Sequence, residues 1–216
     1  MNEKTGVVFC ISEDNQPIAG CTISKAVYDN GKDYISYFSL AENTDISAEI
    51  YGYHKLILLH EGSMEVYTDK DVWTLHEGDC ILTPTDNPVG MRTNTKAIYT
   101  EVSIRRNTMN NAVKAGEVFK LAELLPYQEG KIINMDVAHN EKMKFVIMSF
   151  DEGTGLSEHA APGEALIFAL EGKGVIGYEG KEHPIKAGEN FKFAAGGKHW
   201  VKADGRFKMA LLMTLE

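Results

Sequence analysis

Cysteine is scarce in this chain: Cys10, Cys21 and Cys80 are the only three among 216 residues, and no two stand close together. That spacing excludes a disulfide framework and a zinc knuckle and fits reduced, structural thiols. No run of 18 apolar residues is present, so no segment reads as a membrane-spanning helix. The start from Met1 to Thr5 also lacks the basic stretch and apolar core of a signal peptide. These absences predict a cytoplasmic protein with no membrane partner. Positive charge is in deficit, with 22 Lys and Arg against 31 Asp and Glu, and the lysines are scattered. The formal charge of -9 repels polyanions and argues against nucleic acid as a partner. Long helical periodicity and low-complexity tracts are missing as well. Hydrophobic residues at 44% and charged residues at 25% are those of a folded globular chain.

What the chain does contain, it contains twice. The segment from His54 to Pro84 reappears without a gap as Glu164 to Ala194, a spacing of 110 residues. Leu56 and Ile57 fall on Leu166 and Ile167, Glu61 and Gly62 on Glu171 and Gly172, Gly78 and Asp79 on Gly188 and Glu189. Apolar positions follow: Val66 matches Ile176, Leu75 matches Ile185 and Ile81 matches Phe191. Asp33 to Leu40 likewise lines up with Met143 to Phe150. A shared register of apolar and turn positions marks one structural unit repeated.

The repeat divides the chain into a first copy over residues 1–107, a connector over 108–125 and a second copy over 126–216. Each copy is of ordinary domain size. Short apolar segments recur about every 8 to 15 residues with Gly, Asp, Asn or Pro between them, which predicts an all-β antiparallel sandwich or barrel. Leu56 to Leu59 and Ala165 to Leu170 are continuously apolar, so these strands are expected to be buried on both faces. In the connector, Lys120 to Leu125 suits one or two helical turns before Pro126 stops them.

The string Leu170-Glu171-Gly172, a hairpin, Ala187-Gly188-Glu189 and then His199 resembles the cupin family, and copy one carries the same frame as His60-Glu61-Gly62 and Glu77-Gly78-Asp79. Over residues 33–104 and 143–213 the chain resembles a bicupin, which implies two tandem double-stranded β-helix barrels of jelly-roll type. The family signature holds a His-x-His pair, a glutamate and a third histidine. His159 and His199 match the first and third histidines, Ala161 stands at the second, and the glutamate position falls on Ala165, with Glu164 one residue away. In copy one the four positions hold Glu49, Tyr51, Lys55 and Val89. The resemblance implies one divalent transition metal (zinc, manganese, iron or nickel) in the carboxy-terminal barrel, with His159, His199 and Glu164 as ligands. Glu164 reaches inward only if a bulge after Pro162-Gly163 shifts the register by one. It also implies a homodimer.

Two imidazoles can hold a metal, hydrogen-bond a ligand or pass protons near neutral pH, and spacing alone does not separate these roles. Phe168, Tyr178, Phe193 and Trp200 join His159 and His199 as the candidate ligand-binding residues. The functional expectation is a small polar molecule bound in the carboxy-terminal barrel. The alternative is a metal-dependent enzyme, a dioxygenase or a sugar-type isomerase or epimerase, and a third reading is a partner-binding module. Copy one is expected to be mainly structural, with Tyr53, Trp73, Met91 and Tyr99 available to line a second pocket. His54, His60, His76 and His139 are assigned local polar contacts, and Cys80 sits in an apolar strand with no evident base.

Overall fold

The computed structural model describes residues 1–105 and 108–215. Arg106 and Asn107, at the expected end of copy one, lie outside the described residues. The first nine strands are β1 (Val8–Phe9), β2 (Thr22–Asp29), β3 (Tyr34–Leu40), β4 (Thr44–Ile50), β5 (Leu56–Tyr67), β6 (Val72–His76), β7 (Cys80–Leu82), β8 (Pro88–Thr93) and β9 (Ala97–Ser103). The second nine are β10 (Thr108–Met109), β11 (Val118–Phe119), β12 (Ile132–His139), β13 (Met143–Phe150), β14 (Gly155–Ala160), β15 (Ala165–Tyr178), β16 (Lys181–Lys186), β17 (Asn190–Phe193) and β18 (Lys198–Thr214). One helical turn covers Ile11–Asp14 and a 3-10 turn covers Leu121–Leu124. No helix among the described residues is long and apolar enough to cross a membrane.

Among the described residues the strands form two antiparallel nine-stranded sheets. One runs β11-β7-β5-β9-β3-β2, with β6 on β5 and β8 bridging β4 and β5. The other runs β1-β17-β15-β18-β13-β12-β10, with β14 on β18 and β16 on β15. The repeat survives at the level of defects. The β2/β3 ladder shifts between Ala26 and Tyr28 and the β12/β13 ladder between Asp136 and Ala138; β5 shifts between Leu59 and Glu61 and β15 between Ala169 and Glu171. Such bulges bend a strand so that it can serve both sides of a barrel. At the bends, Gly62 and Gly172 adopt φ of +85° and +75°, and a Cβ on either would overlap the backbone carbonyl oxygen of Lys96 or Arg206. Only glycine fits.

Burial explains the continuous apolar strands. One face of β5 places Ile57 and Leu59 inside the first barrel with Leu40, Val66, Ile81 and Tyr99. The opposite face places Leu58 in a seam between the barrels, packed with Ile35, Val102, Phe145, Phe168 and Leu212. The second barrel is filled by Phe150, Ile167, Phe191, Phe193, Val201 and Phe207. Full burial of each such side chain contributes about 2–3 kcal/mol relative to exposure.

The repeat counts the amino-terminal segment with copy one, but the strand pairing carries it across the seam. Val8 and Phe9 of β1 pair with Phe191 and Asn190 of β17 in the second sheet. At the same repeat positions, Val118 and Phe119 of β11 pair with Ile81 and Cys80 of β7 in the first sheet. Each barrel thus takes one edge strand from the segment that precedes the other. Ile11 follows β1 into the seam, fully buried, and its N–H donates to Asn190 Oδ1 at 3.2 Å. Leu121, its repeat mate, is buried in the seam from the connector side.

Candidate functional site

His159 on β14 and His199 on β18 are direct cross-strand partners, so 40 residues of sequence separation collapse to a ring-centroid distance of 4.2 Å. His159 is exposed and His199 is buried, so the pair shares one face of the sheet at the rim of the second barrel, one ring open to solvent and one covered. Both rings are oriented by the same device. His159 Nδ1 lies 2.8 Å from the carbonyl of Ser157, and His199 Nδ1 lies 2.9 Å from the carbonyl of Gly197. A carbonyl only accepts, so each Nδ1 carries the proton and donates. In the neutral ring this leaves the Nε2 lone pair free, the tautomer that suits a ligand acceptor or a metal donor. Burial holds the His199 pKa below its ordinary range; the Gly197 carbonyl acts in the opposite sense, and the neighbouring His159 adds a smaller depression.

Phe193 stacks on His199 at 3.9 Å, and Tyr178, the register partner of His199 on β15, packs on Phe193 at 5.5 Å. The Tyr178 ring is fixed by two glycines: a Cβ at Gly197 would lie 2.7 Å from it and one at Gly6 3.0 Å. The structure therefore brings His159, His199, Phe193 and Tyr178 together.

It does not bring the other three. Phe168 lies on the seam face of β15, stacked parallel to His60 at 6.0 Å, rather than inside the second barrel. Trp200 is on the outer face of β18, where its indole lies over Gly177 of β15 so closely that a Cβ there would overlap it. Glu164 is held away from the histidines: one oxygen pairs with the amino terminus of Met1 and the other with Lys192 Nζ. No register shift turns it inward, because its neighbour Ala165 faces the barrel core in regular pairing with Phe193 and Met213.

These positions decide the metal question on the donor set. A tightly held first-row ion takes about three protein ligands. Two imidazoles are present, but Ala161 and Ala165, both buried, stand at the other two positions that the resemblance assigns to donors. Among the described residues no group of three or more His, Cys, Asp or Glu is placed to hold a metal ion. The residues do not fit a resident ion.

Two further sites were not singled out from the sequence. His60 lines a cavity of about 370 Å³ in the seam with Glu77, Lys120, Phe168 and Leu170, and its Nε2 bonds Thr100 Oγ1 at 2.6 Å. Inside the first barrel, Lys55 and Glu101 form an ion pair at 3.2 Å. The available signal was a position-by-position comparison of the copies: the repeat mates of His60, Lys55 and Glu101 are Leu170, Ala165 and Leu211. Cys80 is buried, with its thiol pKa pushed up to about 12 by that burial, so it is an unreactive core residue.

A family model described as the cupin domain matches residues 146–215. Among solved structures, a Cupin 2 conserved barrel domain protein from Leptotrichia buccalis is similar at a TM-score of 0.84 and 26% identity, covering 99% of this chain and 98% of that one. Salicylate 1,2-dioxygenase from Pseudoaminobacter salicylatoxidans, solved with gentisate, is similar at a TM-score of 0.62 and 10% identity, over 88% of this chain and 72% of that one. Protein Ylba from E. coli reaches 0.60 at 13% identity, over 98% and 92%. The last two likenesses are of fold alone. No curated protein matches. With the family model on the second barrel and a full-length likeness to a conserved-barrel protein, the chain belongs to the cupin superfamily and is built as two cupin barrels in tandem.

Proposed function

We propose that the carboxy-terminal barrel binds a small polar molecule that donates hydrogen bonds to His159 and His199. The observation that carries this reading is the matched pair of Nδ1–carbonyl bonds, which orients two adjacent Nε2 lone pairs as acceptors. Phe193 and Tyr178 supply an aromatic wall beside them, suited to the apolar face of a hydroxylated compound such as a sugar. Nε2 lone pairs favour hydroxyl or ammonium donors over a carboxylate, whose oxygens would face them.

The test combines elemental analysis with imidazole ¹⁵N NMR of the full chain, using L-arabinose and D-glucose as probes. The expected result is substoichiometric first-row metal and saturable shifts of both Nε2 resonances with at least one sugar, lost in His199→Phe. Near-stoichiometric iron, manganese, nickel or zinc that disappears in both His159→Ala and His199→Ala would overturn this reading. That outcome would favour a metal-dependent enzyme, a dioxygenase or sugar-type isomerase.

A further inference from the structure

The inward face of β9 carries Tyr99, Glu101 and Ser103 at alternate positions, while Ile98 and Val102 on its other face pack in the seam. All three inward residues are buried, at 0%, 2% and 0% exposure. Glu101 Oε1 accepts from Tyr34 O–H and pairs with Lys55 Nζ, itself only 7% exposed. The hydroxyls of Tyr99 and Ser103 have no hydrogen-bond partner among the described residues. Burial, and next the charge of Glu101, keeps the Tyr99 phenol protonated well above its usual range, so it is a donor.

The second barrel serves as an internal control. At the repeat positions of Lys55, Tyr99, Glu101 and Ser103 it holds Ala165, Met209, Leu211 and Met213, and it closes into the same fold. The architecture does not require polar groups there. A buried ion pair is rarely more stabilising than well-packed apolar residues, and orphaned hydroxyls are unfavourable. Their combination in one barrel and not its twin points to a ligand.

We propose that the interior of the amino-terminal barrel is a second binding site, for a small carboxylate, built on Lys55, Tyr99, Glu101 and Ser103. The charge class follows from the donor count. Tyr99 and Ser103 each have a free O–H, Lys55 has three N–H groups and one carboxylate partner, and Glu101 Oε1 already accepts from Tyr34 and pairs with Lys55. At the end of the same strand, the Arg105 guanidinium sits 3.9 Å over the Tyr53 ring with its Nε unpartnered and no ion pair among the described residues. The unmet need is for acceptor oxygens with negative charge. The way in is the turn holding Tyr51 and Tyr53, where the Tyr51 ring lies 3.5 Å from Lys55 Nζ. An arriving carboxylate takes the place of that ring face beside the ammonium.

The experiment is a titration of full-length protein, ¹³C-labelled on its tyrosine rings, with the sodium salts of acetate, lactate and succinate against sodium chloride at equal ionic strength. Tyr99 and Tyr51 are expected to shift saturably with at least one carboxylate, at a dissociation constant of about 1 mM or tighter. Tyr99→Phe, which removes only the orphan hydroxyl, weakens binding about tenfold, and Lys55→Ala abolishes it. His159→Ala leaves it intact, so this site succeeds or fails independently of the histidine pair. Shifts equal to those with chloride, or binding unaltered in Tyr99→Phe, overturn the proposal. So does failure to fold of the variant carrying the second barrel's residues, K55A/Y99M/E101L/S103M, because the polar set would then be structural; its cooperative folding with loss of binding supports the site.

Discussion

Val8 lies in register with Phe191, so the first strand of the chain completes the sheet of the last domain. The 110-residue repeat makes the arrangement reciprocal, because Val118 lies in register with Ile81. The two barrels are joined through their backbones as well as through the apolar seam, and their stabilities are coupled in consequence.

Deleting residues 1–10 is expected to weaken the distant barrel. The truncation removes β1 and the Met1 contacts to Glu164 and Lys192. A loss of roughly 3 kcal/mol follows from one two-residue ladder and its apolar burial, measured by urea denaturation. Amide hydrogen exchange should rise over residues 190–193 and stay unchanged over 80–82. A uniform rise in both places would contradict the assignment of β1 to the second sheet.

Gly62→Ala and Gly172→Ala should each destabilise by about 3 kcal/mol, combining a left-handed φ with a backbone overlap that cannot relax cheaply. The two losses should agree within about 0.5 kcal/mol and add in the double variant, since the sites are equivalent and distant. Chemical denaturation decides the matter. A cost below about 1 kcal/mol at either site would mean that the bend there tolerates a side chain.

Stability should fall in mild acid through His60. Burial lowers its pKa from 6.5 to about 4. The unfolded chain therefore takes up the proton first, and the contribution is complete above pH 6.5 and lost as pH falls toward 4. The residue is only half-buried, and solvent screening reduces the effect to about 2 kcal/mol. The variant H60L/T100A, which installs the residues that copy two has at these positions, should lose this part of the acid sensitivity. Identical pH profiles for the two proteins would remove His60 as the cause.

Replacing His159 should be felt by its neighbour. His199 is depressed first by burial and then by the His159 charge. In His159→Ala its pKa should rise toward the ordinary range without reaching it, because the ring remains buried. An NMR titration of the His199 ring measures this directly, and an unmoved or lower value would show that the rings are not coupled.

The repeat is legible in the sequence, and together with the cupin frame it gives the turns at Gly62 and Gly172 and the convergence of His159 with His199; one or two helical turns before Pro126 follow from local composition, and the structure forms a 3-10 turn there. Phe168 turns to the seam, and because a strand buried on both faces gives no hydrophobic alternation, sequence cannot say which of its residues turn to the barrel and which to the seam. Trp200 differs: β18 alternates there, and Lys198 and Lys202, two positions away on either side, share its outward face. Glu164 needed a register shift that the ladder does not make, and its carboxylate has nearer cations in Met1 and Lys192. His60 and Lys55 were visible as polar residues where the other copy is apolar, a difference that acquires meaning once their surroundings are known.

By itself the sequence determined the strands, the turns, the repeat period and so the two cupin barrels, because apolar patterning and glycine positions are local and act alike in both copies. Only the tertiary structure decided that β1 and β11 change places, that the second barrel's rim carries two imidazoles without a third donor, and that the first encloses an ion pair with free hydroxyls. The physical reason is that backbone hydrogen bonds are indifferent to side chains. A short apolar strand satisfies either sheet edge equally, and the choice is made by packing and charge contacts between residues that are remote along the chain.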